Sequence, residues 1–215
     1  GQPHLALGDE FAQAELGPKK EDPWLIGYYV DNEMSWAGFK EGLLKIPDTQ
    51  PARVHFVEFL RSRYRKIETL NEAWGIHAAS FSQVREEGTT EFFKLDMSEL
   101  LAEAAGLYFR TWAEAIRKAD PNHLLLGRRF LMDIETMPEV VRACARYMDV
   151  ISLNWYDFQP DADIFDRLYQ IASLEKPRPF LIGEYGFNTL GSGLLTAAVS
   201  VADEKQRGVG YRYYN

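Results

Sequence analysis

Four short apolar runs, Leu25–Asn32, Leu124–Phe130, Val150–Trp155 and Phe180–Gly183, are separated by helical patterns with no hairpin signal between them. The first and last are rich in β-branched and aromatic residues, which suits buried strands. The clearest helical pattern runs over Ala52–Glu72, with Val54, Phe56, Val57, Phe59, Leu60, Tyr64, Ile67 and Leu70 on helical spacing. A second spans Met97–Lys118 and stops at Asp120-Pro121, because proline cannot continue a helix. Shorter helices fit Pro138–Tyr147 and Ile164–Leu174, and a last one lies near Asp203–Tyr214. Strand and helix in alternation predict a parallel α/β sheet, closed as a barrel or wound as an open layer.

Two features favour the barrel. No glycine-rich phosphate loop follows any strand, which removes the commonest doubly wound reading. Polar and aromatic clusters (DNE, RRF, NWYD and EYGF) also close all four runs at their C-terminal ends. Barrel enzymes build their sites on that rim. A full (β/α)8 TIM barrel takes about 250 residues. The chain is therefore expected to form a single partial barrel domain over residues 1–215, holding strands four to seven. Such a sheet has two unpaired edges, so self-association or poor activity is expected of it.

Composition narrows the partners. A net charge of −8, from 24 basic and 32 acidic residues, argues against nucleic acid. No run of about 18 apolar residues is present to span a membrane, and the opening GQPHLALGDEFAQ lacks the pattern of a signal peptide. Cys144 is alone, and His4, His55, His77 and His123 have no ligand spacing, so neither a disulfide, a metal nor a cofactor is expected. His77 and His123 are given no role. The aromatic share of 13% suits a sugar binder, although core packing accounts for most such rings.

Glu33 and Glu184 end the first and last of these runs. A buried, unpaired carboxylate is costly, so a strand that ends in one makes sense where it opens into a pocket. Two facing carboxylates can cleave a glycosidic bond, one as acid and base, the other as nucleophile. In such a pair one group stays ionised while its neighbour keeps a proton. Asn32-Glu33 alone could instead open a helix, with Asn32 as its cap.

Five segments extend the reading. DPWLIGYYVDNEMSW resembles the fourth strand of retaining glycoside hydrolases of the large (β/α)8-barrel clan, within which it is most similar to β-agarases and β-galactosidases. YRKIETLNEAWG, YFRTWAEAIRKADPNHLLLGRRF, MDVISLNWYDF and KPRPFLIGEYGF resemble later segments of the same enzymes, in order.

This resemblance implies that Glu33 is the acid/base, that Asn32 bonds the sugar 2-hydroxyl, and that Glu184 is the nucleophile. Tyr156 would hold Glu184, and Asn154 and Trp155 would line the cleft floor. Arg129 would bond the nucleophile or a sugar, with Arg128 its rival because strand alternation alone does not fix the register. Both arginines could instead pair with Asp133 and Glu135. Trp36 and Phe187 are candidates for sugar stacking, Trp36 equally for core or lid. Leu190–Ser200 reads as a long rim loop. The implied activity is cleavage of a galactose-containing polysaccharide, β-agarase-like. The alternatives are a β-galactosidase or other β-glycosidase, or an inactive carbohydrate-binding or truncated barrel.

Overall fold

The computed structural model describes residues 2–131, 137–189 and 199–214. The chain divides into two compact units, one made of residues 1–4 and 35–105, the other of residues 5–34 and 106–215. In chain order the first elements are α1 (Gln2–Glu15), β1 (Gly27–Tyr28), α2 (Phe39–Lys45), α3 (Pro51–Tyr64), α4 (Ile67–Trp74) and α5 (Glu91–Ala119). There follow β2 (Leu124–Leu125), β3 (Arg129–Phe130), α6 (Pro138–Tyr147), β4 (Ile151–Asn154), α7 (Ala162–Ser173), β5 (Phe180–Glu184), β6 (Asn188–Thr189), β7 (Ser200–Val201) and α8 (Glu204–Tyr214).

The unit around residues 35–105 is helical. Phe56 and Leu60 of α3 meet Leu70 and Trp74 of α4 in one core with Val84, Phe93 and Met97. Full burial of each large apolar side chain stabilises by roughly 1.5–3 kcal/mol. The single helix expected over 52–72 is broken at Arg65, which takes a φ of +62°. The apolar spacing runs unbroken through that point, so periodicity could not reveal the kink. Asp96, 2% exposed, lies in this core and accepts from Trp74 Nε1 at 2.8 Å and from the Tyr64 hydroxyl, with Arg63 paired to it. A buried carboxylate is tolerable when its oxygens are satisfied in this way. The helix expected from Met97 begins earlier, at Glu91, where Thr90 Oγ1 accepts the Phe93 amide.

The other unit carries the parallel strands. β1 pairs with β2, and β3, β4 and β5 lie side by side, all parallel. A bridge between Asn32 and Arg129 continues the first pair onto β3, so the four predicted runs are neighbours in sequence order. The second run is split because Gly127, at φ +73°, turns the chain between β2 and β3. Helices α6 and α7 supply the outer layer: Val140, Val141 and Cys144 of α6 and Leu168 and Ala172 of α7 are buried. Asp161 caps α7 by accepting the Asp163 and Ile164 amides. Trp24 and Ile26, before β1, are 91% and 71% exposed. Most of the expected Leu190–Ser200 loop lies outside the described residues; its flanks pair as β6 and β7.

A polar knot fixes the start of the strands. Asp120, after α5, accepts from the Tyr28 hydroxyl at 2.6 Å and from the Asn122 and His123 amides, and lies 2.6 Å from His123 Nδ1. His123 Nε2 stands 2.9 Å from the Asp22 carbonyl. The His123 ring thus ties the entry of β2 to the segment that leads into β1.

Candidate active site

Each segment that ends in a polar cluster delivers its residues to the same end of the sheet, as parallel strands must. Glu33 follows the bridged Asn32, and its amide donates to the Arg129 carbonyl at 2.9 Å. Its φ of +53° is left-handed, a conformation that costs a non-glycine residue roughly 1–2 kcal/mol. No helix begins here; α2 starts at Phe39, so the capping alternative for Asn32 falls away. Asn32 is exposed.

Asn154 ends β4 fully buried and donates its amide to Glu33 Oε1 at 2.7 Å. Across β4–β5 it is the register partner of Glu184, where the pairing shifts by one residue. Glu184 is gripped at both oxygens: Arg129 Nη1 donates to Oε1 and the Tyr156 hydroxyl to Oε2. The Arg129 guanidinium also lies 5.1 Å above the Tyr29 ring. Burial, then the hydrogen bond to Glu184, then the charges of Glu184 and Glu33, push the Tyr156 phenol up to about 12. The Tyr156 hydroxyl thus lies within the field of both carboxylates.

The choice between the arginines is a matter of side-chain direction. Arg129 reaches Glu184, while Arg128, 1% exposed, reaches the Met34 carbonyl. Asp133 and Glu135, their alternative partners, lie outside the described residues. Trp155 is 1% exposed, with its indole N–H on the Gln159 carbonyl and its ring against Phe165. Phe187 is 4% exposed and packed edge-on by Phe158, Tyr211 and Tyr214. A ring so enclosed offers no open face, and its expected stacking on sugar is corrected to core packing. Trp36 falls in the other compact unit.

Gly183 lies inside β5, and a glycine within a strand often marks a close approach. A Cβ there would stand 3.0 Å from Arg129 Cγ and Cδ and 3.3 Å from Asn154 Oδ1. The bare strand is what lets Arg129 cross to Glu184. Among the described residues, no group of three or more His, Cys, Asp or Glu side chains is placed to hold a metal ion.

Residues 19–185 match the glycoside hydrolase 42 family model, described as beta-galactosidase. Beta-agarase B of Vibrio sp. (strain JT0107) is 33% identical over 211 residues, covering 91% of this chain and 22% of that protein. Beta-agarase A of the same strain is 36% identical over 216 residues, covering 91% and 21%. The crystal structure of an agarase, AgWH50C, superposes with a TM-score of 0.83 at 29% identity, over 99% of this chain and 32% of that one. The chain thus spans about a fifth of the length of the curated relatives it matches, and its fold is that of part of a glycoside hydrolase TIM barrel.

Proposed function

The chain belongs to the glycoside hydrolase 42 family, and from that premise we propose that it carries the two catalytic carboxylates of a retaining β-glycosidase. The substrate class is a galactose-containing polysaccharide, as the names of the two Vibrio relatives suggest. The observation that carries the reading is the Tyr156 hydroxyl, bonded to Glu184 and within the field of Glu33.

Glu184 attacks the anomeric carbon while Glu33 gives its proton to the departing glycosidic oxygen. A covalent glycosyl-enzyme forms. Glu33, now a carboxylate, takes a proton from water as that water attacks the same carbon and releases Glu184. Two inversions leave the anomeric configuration retained. Arg129 and Tyr156 hold the Glu184 carboxylate in one orientation, so little reorganisation is needed as it attacks. Asn154 anchors one oxygen of Glu33 and so aims the other. Asn32 bonds the sugar 2-hydroxyl.

A fluorinated glycoside with a good leaving group tests this in the natural-length protein. Mass spectrometry should find the label on the peptide that carries Glu184, and NMR of the first product should show the substrate's own anomer. An inverted first product would refute the double displacement. The description of the matching family favours a second reading, a β-galactosidase of small substrates. Relative rates on agarose and on an aryl galactoside separate the two.

A further inference from the structure

Arg128 is a buried cation at the site that the catalytic scheme leaves without a task. It is 1% exposed, its guanidinium carbon lies 4.9 Å from the centre of the Phe130 ring, and its Nη2 donates to the Met34 carbonyl. So enclosed a side chain cannot reach a sugar. Met34 directly follows Glu33, whose backbone is left-handed at φ +53°. A glutamate keeps such a conformation only when its surroundings over-determine it.

The surroundings do so from several directions. The Arg129 carbonyl takes the Glu33 amide at 2.9 Å, on the near side of the turn. Arg128 takes the carbonyl of the next residue, on the far side. Asp31 accepts from the Tyr108 hydroxyl at 2.8 Å and from the Asn32 amide at 2.7 Å, which ties down the approach. Successive residues of one strand end thus hold different things: Arg129 the side chain of Glu184, and Arg128 the backbone beyond Glu33.

We propose that Arg128 is a positioning residue for the acid/base, keeping the left-handed turn at Glu33 closed so that its carboxyl meets the leaving oxygen. The proposal rests on the assignment of Glu33 as acid/base. It predicts a defect in the proton transfers of Glu33, read in the first step as lost proton donation, and none in attack by Glu184, which has its own holders.

The test compares kcat/KM for two aryl glycosides of the sugar the natural-length enzyme releases, one with a phenol and one with a dinitrophenol leaving group. The second departs without a proton, so loss of acid catalysis is felt mainly on the first. Arg128→Met is expected to lower the phenyl rate about 100-fold, the order of effect of a misplaced catalytic group, and the dinitrophenyl rate less than about threefold, where no acid is needed. Arg128→Lys, which keeps a charge but loses the planar fork, should show the same selectivity with a smaller loss, and it carries the test if the methionine variant fails to fold. Equal losses on both substrates, or none, would overturn the role of Arg128. Glu33→Ala is the reference: if it too shows no selectivity, the acid/base assignment itself is what fails.

Discussion

Asn154 and Glu184 face each other across β4–β5 at the point where the register slips. Because the Asn154 amide also reaches Glu33 at 2.7 Å, one buried side chain links the two carboxylate-bearing strand ends. Asn154 and Glu184 are placed by the pairing of β4 with β5, and Glu33 and Tyr156 stand on the segments just beyond their strands.

Replacing either carboxylate should end catalysis. Glu33→Gln is expected to lower kcat by about 10²–10⁴-fold, the usual worth of a general acid, and Glu184→Gln at least as much. Steady-state rates with thermal melts as a folding control check this. A variant that keeps half its rate removes that residue from its role.

Tyr156→Phe removes one of the two bonds to the Glu184 carboxylate. A fall of roughly 10-fold in kcat is expected, of the order of one hydrogen bond to a charged group. The phenol is held at about 12, by burial first and by Glu184 next, so it stays protonated across ordinary assay conditions. The basic limb of the pH–rate profile should therefore keep its position in the variant, and a shifted limb would show that Tyr156 titrates in catalysis.

Gly183→Ala should act on Arg129. The added methyl meets Arg129 Cγ and Cδ at 3.0 Å, so the arginine must shift off its path to Glu184. Activity should fall by about 10-fold or more, in line with the sensitivity of catalysis to misplacement, while thermal stability changes little.

The knot at Asp120 makes stability depend on pH from both sides. Burial pushes the Asp120 carboxyl up, but hydrogen bonds from Tyr28, Asn122 and His123 outweigh it and leave it below the ordinary range. The Asp22 carbonyl and then Asp120 hold the His123 imidazolium above its usual range. A lowered acid contributes stability that disappears as pH falls through its folded pKa, and a raised histidine contributes stability that disappears as pH rises through its own. Urea midpoints from about pH 3 to about pH 9 should thus form a plateau between the two. In Asp120→Asn both limbs should flatten.

Cys144 offers a probe of unfolding. Burial pushes its thiol up to about 12, so the native protein should be inert to thiol reagents, which attack the thiolate. Reaction should begin only as the unit opens, and its rate should rise with urea. Prompt labelling of the native protein would contradict the packing of α6.

The amino-acid sequence by itself determined the alternation of strands and helices, the parallel sheet, and the two glutamates at strand ends. These rest on local signals: apolar periodicity, breakers such as Asp120-Pro121, and carboxylates where packing has no use for them. It did not determine which arginine faces Glu184, since a one-residue shift in register turns every side chain to the other face. Nor could it show that Phe187 is walled in by aromatic rings, that His123 braces the sheet, or that Gly183 clears a path for Arg129. Each of those depends on groups far apart in the chain meeting at ångström precision. Only the folded backbone, through its pairing and its left-handed turns at Glu33 and Gly127, decides such meetings.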